Sequence, residues 1–231
     1  MHLRFRHTPW ALLALSLACA TPQQTTAPTA PPPAPAAETP RPPTFRLGTQ
    51  VKPTGYKVEF TVDPRKEGFD GVVEIALALS EPTRQVWLHG KGLTVKEATL
   101  TAGGQPQPAR AVTEGDTFIG FLLERPVGPG SATLRVAYQG LAPAKETVGL
   151  FRQKDGDNWY ALTQFQPDDA RRAVPCFDEP GFKVPWQLTL RVPGSQRAFA
   201  NAPVESEQTG PDGWKTVRFR TPPPLPREVV A

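Results

Sequence analysis

Two glutamines, Gln164 and Gln166, are the residues of this sequence whose type and spacing best suit the binding of a small polar group. They lie at the end of a β-rich stretch that is predicted to be a strand over residues 159–165. Side chains two positions apart on a strand share a face, here the face opposite Phe165. Two amides side by side could hold a polar group such as an amine. Periodicity alone favours a plainer interpretation, two surface glutamines without a binding role.

His89 and Cys176 are the remaining candidates for nucleophilic or general-base chemistry. The other two histidines, His2 and His7, lie in an N-terminal segment that is predicted to be removed. His89 falls at the end of a predicted strand, where a hydrogen-bonded structural role is expected. Cys176 is predicted to be a buried structural thiol, because no histidine lies near it in sequence to activate it.

Two groups of acidic residues suit structural roles better than catalysis. The sequence KDGDN at residues 154–158 lacks the later acids of a calcium loop, so it is predicted to be a turn. Asp178 and Glu179 are adjacent, and adjacent residues of an extended segment point to opposite faces. They are therefore predicted to be structural, pairing with Arg171 or Arg172, and not to act together as acid and base.

Composition excludes several classes of protein. The 231 residues include three histidines and two cysteines, too few for a zinc-finger array, a haem protein or a disulfide-dense scaffold. The sequence contains no HExxH, GxSxG, P-loop or GxGxxG motif. We therefore expect no catalytic residue, no metal site and no bound cofactor in this chain.

Alternating apolar and polar residues predict the strands that must position these side chains. The runs are residues 56–62, 73–79, 86–88, 93–100, 118–123, 134–138, 186–192 and 217–219, besides the stretch that carries the glutamines. Turn signals containing Gly or Pro separate them, and no helix of more than two turns is predicted. The predicted fold is all-β, either a β-sandwich or an open, curved sheet.

Residues 1–20 are typical of a signal peptide, with two arginines before an apolar run too short to span a bilayer as a helix. Cys19 leaves two interpretations open. It is the lipidated cysteine of a bacterial lipoprotein, or residues 18–20 are a cleavage site that releases a soluble protein. A cytoplasmic chain is the least favoured alternative. We expect an exported protein, in the bacterial cell envelope, periplasmic or secreted, that contacts a membrane only through Cys19.

Residues 21–43 are predicted to be an extended, proline-rich linker, followed by one β domain over residues 44–231. Nine of the 23 linker residues are proline and the others are mostly small or polar, so this segment cannot form a core. The formal net charge is +4, and removal of the signal peptide would take away two arginines and no acid. No basic cluster remains to follow phosphates, so nucleic acid is not an expected partner.

The stretch around the two glutamines resembles the signature of the aminopeptidase N family of zinc metallopeptidases (peptidase family M-one, gluzincins). Members of that family carry T-Q-F-E-P-x-D-A-R-R-x-F-P-C-F-D-E-P-x-x-K. This chain has TQFQPDDARR at residues 163–172, PCFDEP at residues 175–180, and Lys183. Weaker similarities extend over residues 50–231: Pro53 and Tyr56, Phe69-Asp70-Gly71, Leu88-His89, Tyr138-Gln139-Gly140 and Ala200-Asn201-Ala202-Pro203.

The resemblance implies a fold and a role. In the family, the N-terminal domain is a saddle-shaped β-sandwich, and a separate catalytic domain carries HExxH, a distant Glu ligand and G-A-M-E-N. The first Gln and the acid two positions later help to bind the free α-amino group of the peptide. The matching positions here are Gln164 and Gln166, the second of which replaces the usual Glu. An amide holds an ammonium less strongly than a carboxylate does.

Two hypotheses follow from the resemblance. The first is the N-terminal substrate-docking domain of an exported zinc aminopeptidase, whose zinc belongs to a catalytic domain outside this chain and whose partners are peptide N-termini. The chain ends at residues 226–231, which resemble a strand before that catalytic domain. We therefore expect a truncated, split or decayed gene product, inactive alone. The alternative is a non-catalytic, surface-anchored β-sandwich module that binds peptides or proteins.

Overall fold

The computed structural model describes residues 41–230, apart from the side chain of Glu228, together with the isolated position 2. The predicted signal peptide, Cys19 and residues 21–40 of the predicted linker otherwise lie outside the described residues, and these assignments stay predictions. Between residues 41 and 230, no helix is long and apolar enough to cross a membrane.

Strands are the dominant regular elements in the described part of the chain. They are β1 (Val51–Thr61), β2 (Gly68–Leu79), β3 (Thr83–His89), β4 (Thr94–Ala102), β5 (Gln105–Glu114), β6 (Phe118–Val127), β7 (Gly130–Leu141), β8 (Gly149–Asp155), β9 (Asn158–Gln164), β10 (Lys183–Val184), β11 (Trp186–Pro193), β12 (Val204–Thr209), β13 (Trp214–Phe219) and β14 (Leu225–Pro226). Two single-turn 3-10 helices, Ala170–Arg172 and Arg227–Val229, are the helical elements of residues 41–230. The predicted all-β class is confirmed.

Ten strands form one large, curved mixed sheet in the order β12-β13-β11-β1-β2-β7-β4-β5-β6-β3. The pair β1–β11 is parallel, and the other neighbours in this sheet are antiparallel. Strand β5 joins two parts of the sheet, because Gln105–Pro108 pair with β4 whereas Ala109–Glu114 pair with β6. Buried side chains from both parts form one hydrophobic cluster. The alternation of β2 and β7 sends Val73, Ile75, Leu134 and Val136 into it.

Some elements differ from the sequence-based prediction. Strands β5, β8, β10 and β12 were not predicted. Two prolines in β5 and the full exposure of β12 mean that neither shows the apolar alternation. The strand predicted at the end of the chain is wrong for residues 227–230. The chain turns there into the 3-10 helix Arg227–Val229, and the Arg227 side chain is buried.

Candidate functional site

The hairpin of β8 and β9 carries the first of the two glutamines. These strands pair with each other in a separate two-stranded sheet, and the register sets Gln164 opposite Gly149. The turn falls at Gly156, which has a φ of 55°, a left-handed conformation that glycine adopts without strain. The predicted turn at residues 154–158 is therefore confirmed. Along β9 the exposed side chains include Tyr160 and Leu162 before Gln164, so the hairpin presents an apolar stripe that ends in an amide.

The second glutamine lies in a short loop, residues 165–169, that we call the glutamine loop. Strand β9 ends at Gln164, so the prediction that the strand reaches Phe165 is wrong by one residue, and Gln166 lies beyond the strand. Phe165 is buried, whereas Gln164 and Gln166 are exposed on either side of it. The Asp169 amide closes the loop by donating to the Phe165 carbonyl at 2.9 Å. The loop is thus exposed at residues 166–168 and anchored at its base.

The segment after the 3-10 helix, residues 173–178, is buried although it is irregular. Buried backbone groups need hydrogen-bond partners, and here side chains of the large sheet supply some of them. The Phe177 amide donates to the Tyr56 hydroxyl at 3.0 Å. The Tyr138 hydroxyl donates to the Ala173 carbonyl at 2.9 Å. Two tyrosines on β1 and β7 therefore hold the polypeptide that follows the glutamine loop.

His89 holds the same segment from β3, as its predicted structural role requires. Its backbone exchanges two hydrogen bonds with Cys176, with N–O distances of 2.9 and 3.0 Å. Its ring Nδ1 accepts a hydrogen bond from the Asp178 amide at 3.1 Å. Cys176 is fully buried and unpaired, and burial raises the pKa of its thiol well above the usual value. The thiolate is disfavoured, so the structure supports the predicted structural role of Cys176.

A buried carboxylate, Asp178, lies at the centre of an ionic cluster. Arg171 Nε is 2.8 Å from Oδ2 of Asp178, and Arg227 Nε is 2.6 Å from Oδ1. The side chains of Asp178, Arg227 and Arg171 are 0%, 4% and 13% exposed, so this is a desolvated cluster of two cations and one anion. Asp168 adds an exposed second carboxylate, 3.7 Å from Arg171. Arg227 also donates from Nη2 to the Pro167 carbonyl at 2.7 Å.

The neighbouring charges make separate pairs. The predicted partnership of Asp178 with Arg171 is confirmed, whereas Arg172 bonds Asp169 at 2.7 Å and Glu146 at 3.2 Å. Glu179 accepts a hydrogen bond from the Leu47 amide at 2.7 Å. The two adjacent acids therefore serve different parts of the structure.

We expect His89 to make stability depend on pH. Burial, with a smaller contribution from the positive charge of Arg171, lowers the pKa of His89 to about 4; the nearby charges of Asp178 and Asp168 oppose that shift and Arg227 adds to it. The unfolded histidine, with a pKa near 6.5, binds a proton that the folded one releases, so stability falls as the pH drops from about 6.5 to about 4. Between pH 7 and pH 5 we expect a loss of roughly 2 kcal/mol, measured as a shift in the urea midpoint.

The variant His89→Asn provides the control for this pH effect. Its amide oxygen can take over the role of Nδ1 as acceptor, but it cannot be protonated in this range. The loss of stability between pH 7 and pH 5 should shrink to a small fraction of the wild-type value. An unchanged pH slope in the variant would contradict the assignment.

Metal-binding chemistry has no support within residues 41–230. No group of three or more His, Cys, Asp or Glu side chains in this range is placed to hold a metal ion. The zinc that the family resemblance implies is expected in a separate catalytic domain and not among these residues.

The structure adds residues that sequence reasoning did not select. Tyr56 and Tyr138 appeared only as weak similarities, and Arg227 was not singled out. Arg227 stands among prolines and valines, without a periodic pattern that would mark it. Its partners, Asp178 and the Pro167 carbonyl, are 49 and 60 residues away, so local sequence does not reveal these contacts. Gln164 and Gln166 are both exposed, but Gln166 lies beyond the end of β9, so the prediction that the two share one face of a strand is wrong for Gln166. Their binding role stays a prediction.

Comparison with known proteins gives one consistent family. The family model of the peptidase M1 N-terminal domain matches residues 52–227. Similar proteins include aminopeptidase M1-D of Oryza sativa subsp. japonica, 33% identical over 80% of this chain, and glutamyl aminopeptidase of Rattus norvegicus, 29% identical over 80%. The thyrotropin-releasing hormone-degrading ectoenzyme of Homo sapiens is 28% identical over 78% of this chain. The matches cover 22%, 21% and 18% of those proteins, so this chain spans about a fifth of their length. This chain therefore belongs to the peptidase M1 N-terminal domain family.

Proposed function

We propose that this chain is the N-terminal, substrate-docking part of an exported zinc aminopeptidase, an enzyme that removes N-terminal residues from peptides. The family assignment and the aminopeptidase names of the relatives support this proposal. The observation that carries the docking role is the placement of the two glutamines. Gln164 and Gln166 are exposed on either side of the buried Phe165, and the hydrogen bond from Asp169 closes the loop that carries Gln166.

The glutamines would bind and orient the substrate. The amide oxygen of each can accept a hydrogen bond from the α-ammonium group of a peptide. Such positioning places the scissile bond correctly but breaks no bond itself. Because an amide is neutral, the pair at positions 164 and 166 would hold the ammonium more weakly than a glutamine and a glutamate would.

Catalysis, export and membrane attachment would depend on parts of the protein outside residues 41–230. Bound to a catalytic domain outside this chain, zinc would supply Lewis-acid chemistry at the peptide carbonyl. Export would depend on the signal peptide at residues 1–20, and attachment to the membrane would depend on lipidation of Cys19. One relative, in Homo sapiens, is named an ectoenzyme, which agrees with export.

The proposal is tested first on the gene and then on the enzyme. We expect the reading frame to continue past the Ala231 codon into a domain with G-A-M-E-N and HExxH. In that longer protein, Gln164→Ala should lower kcat/KM for an aminoacyl p-nitroanilide roughly 10- to 100-fold, since a hydrogen bond to a charged group contributes about 1.5–3 kcal/mol. Gln166→Glu should lower KM, because it adds a negative charge near the ammonium.

The matched control is Gln153→Ala on β8, another exposed glutamine of the same hairpin, which should leave kcat/KM unchanged. Equal activities of the Gln164→Ala and Gln153→Ala enzymes would contradict the docking role. A stop codon after Ala231, with no catalytic domain in a neighbouring gene, would favour the non-catalytic binding module.

A further inference from the structure

Arg227 connects two parts of the chain that lie far apart in sequence. It belongs to the last described segment, residues 225–230, in which β14 pairs with β10 and is followed by the 3-10 helix Arg227–Val229. Its guanidinium is buried and uses different nitrogens for different partners. Nε bonds Oδ1 of Asp178, and Nη2 bonds the carbonyl oxygen of Pro167.

The Pro167 carbonyl belongs to the exposed part of the glutamine loop. Pro167 directly follows Gln166, and residues 166–168 are exposed. At the base of the loop, the Asp169 amide donates to Phe165, and Arg172 donates to Asp169 from its backbone amide and from Nε. Nearer the tip, Arg227 donates to the Pro167 carbonyl, and Arg171 pairs with the exposed Asp168 at 3.7 Å. Without the bond from Arg227, residues 166–168 would keep the ion pair of Asp168 with Arg171, which is longer and on the Asp168 side exposed, and such pairs contribute little.

Asp178 holds Arg227 in the orientation that this contact needs. The carboxylate is shared: Oδ2 accepts from Nε and from the backbone amide of Arg171, whereas Oδ1 accepts from Arg227. The amide of Asp178 is in turn held by His89 on β3. The path from the large sheet to the loop tip therefore runs through His89, Asp178, Arg227 and Pro167.

We infer that Arg227, oriented by Asp178, is a positioning residue that fixes the glutamine loop and hence the side chain of Gln166. This inference rests on the proposed function for its purpose, since a fixed Gln166 matters for binding an ammonium group. The claim that Arg227 fixes the loop does not depend on that function. A mobile loop would have to be ordered by the substrate, and ordering costs conformational entropy that a preorganised site does not pay at binding.

Amide hydrogen exchange on the 231-residue chain tests the inference without substrate. The reporter is the Asp169 amide, which closes the loop on Phe165, and the reference is the set of amides in β2 and β7. In Arg227→Lys, the lysine ammonium can still neutralise Asp178, but a single nitrogen replaces the two that reach Asp178 and Pro167. We expect Asp169 to exchange about tenfold faster or more in Arg227→Lys, with the β2 and β7 amides unchanged.

Two further variants complete the design. Arg227→Gln removes the charge, and it should speed exchange of Asp169 and of the core amides together, because Asp178 is left with one cation fewer. Arg220→Gln removes an exposed arginine that is close to Arg227 in sequence, and it should change neither. If Arg227→Gln does not fold, the lysine variant still decides the matter. The inference would be overturned if the Asp169 amide of Arg227→Lys exchanged at the wild-type rate. It would also be overturned if the amides of the loop and of the core exchanged faster by the same factor.

The result of the hydrogen-exchange experiment does not depend on the proposed function. Selective loosening of the loop in Arg227→Lys supports the positioning role whether or not the glutamines bind an amine. In the longer protein, the same variant should raise KM while leaving kcat near the wild-type value, and it should do so only if Gln166 contacts the substrate. A loosened loop with an unchanged KM would therefore leave the positioning role intact and count against the docking role of Gln166.

Discussion

Replacing Asp178 by asparagine should destabilise the domain by about 3–5 kcal/mol, because it leaves the guanidinium groups of Arg171 and Arg227 buried without their shared carboxylate. The carboxylate is fully buried, and both partners lie within 2.8 Å. Asparagine keeps the size of the side chain but contributes one oxygen acceptor and no charge. For a domain of this length, we expect a fall in Tm of roughly 6–20 °C. The measurement is thermal unfolding followed by circular dichroism.

The matched control for Asp178→Asn is Glu205→Gln. Glu205 also bonds an arginine, Arg218, at 2.6 Å, but the two side chains are 46% and 48% exposed. Exposed ion pairs contribute about 0–1 kcal/mol, so this variant should unfold close to the wild-type temperature. If both variants lower Tm by the same amount, the buried cluster is not what stabilises the segment.

Replacing Gly71 by alanine should destabilise the domain by about 2–4 kcal/mol, through overpacking and loss of a buried hydrogen bond. Gly71 on β2 lies opposite Tyr138 on β7, and a methyl group there would be 2.6 Å from the tyrosine hydroxyl and 2.7 Å from Cε2 of its ring. Tyr138 is 1% exposed and has little room to move. Its displacement would also break the hydrogen bond to Ala173. Urea unfolding at pH 7 measures the loss.

The same strand offers the control for Gly71→Ala. Gly68 also lies on β2, and a methyl group there would have no atom within 4 Å. Gly68→Ala should therefore be neutral or slightly stabilising, since alanine restricts the unfolded chain. A stability loss of less than about 0.5 kcal/mol in Gly71→Ala relative to Gly68→Ala would show that Tyr138 moves aside without cost.

Strands with a regular alternation of apolar and polar residues could be predicted from the sequence. The alternation around Val73 and Val136 predicts strands with one buried face, and β2 and β7 have that arrangement. Residues that break the alternation were less accessible. Pro106 and Pro108 concealed β5, and the exposed residues of β12 carry no apolar face, because β12 lies at the edge of the sheet.

Some features of the candidate site follow from the local sequence, whereas others do not. Alternation along an extended chain accounts for the exposed Gln164, whereas Gln166 is exposed in the loop beyond the strand and not through strand alternation. The end of β9 at Gln164 was not predictable from this pattern. The glutamine loop is held from outside by Arg227, and a contact over 60 residues leaves no local pattern.

The sequence by itself determined the all-β class and, through the long match at residues 163–183, the family. Each depends on neighbouring residues or on residue order. Only the tertiary structure decided how the irregular segment at residues 173–178 can be buried. Its backbone needs partners away from water, and Tyr56, Tyr138 and His89 provide them from three strands of the large sheet. Hydrogen bonds between distant residues depend on where the folded chain brings their atoms, which residue order does not reveal.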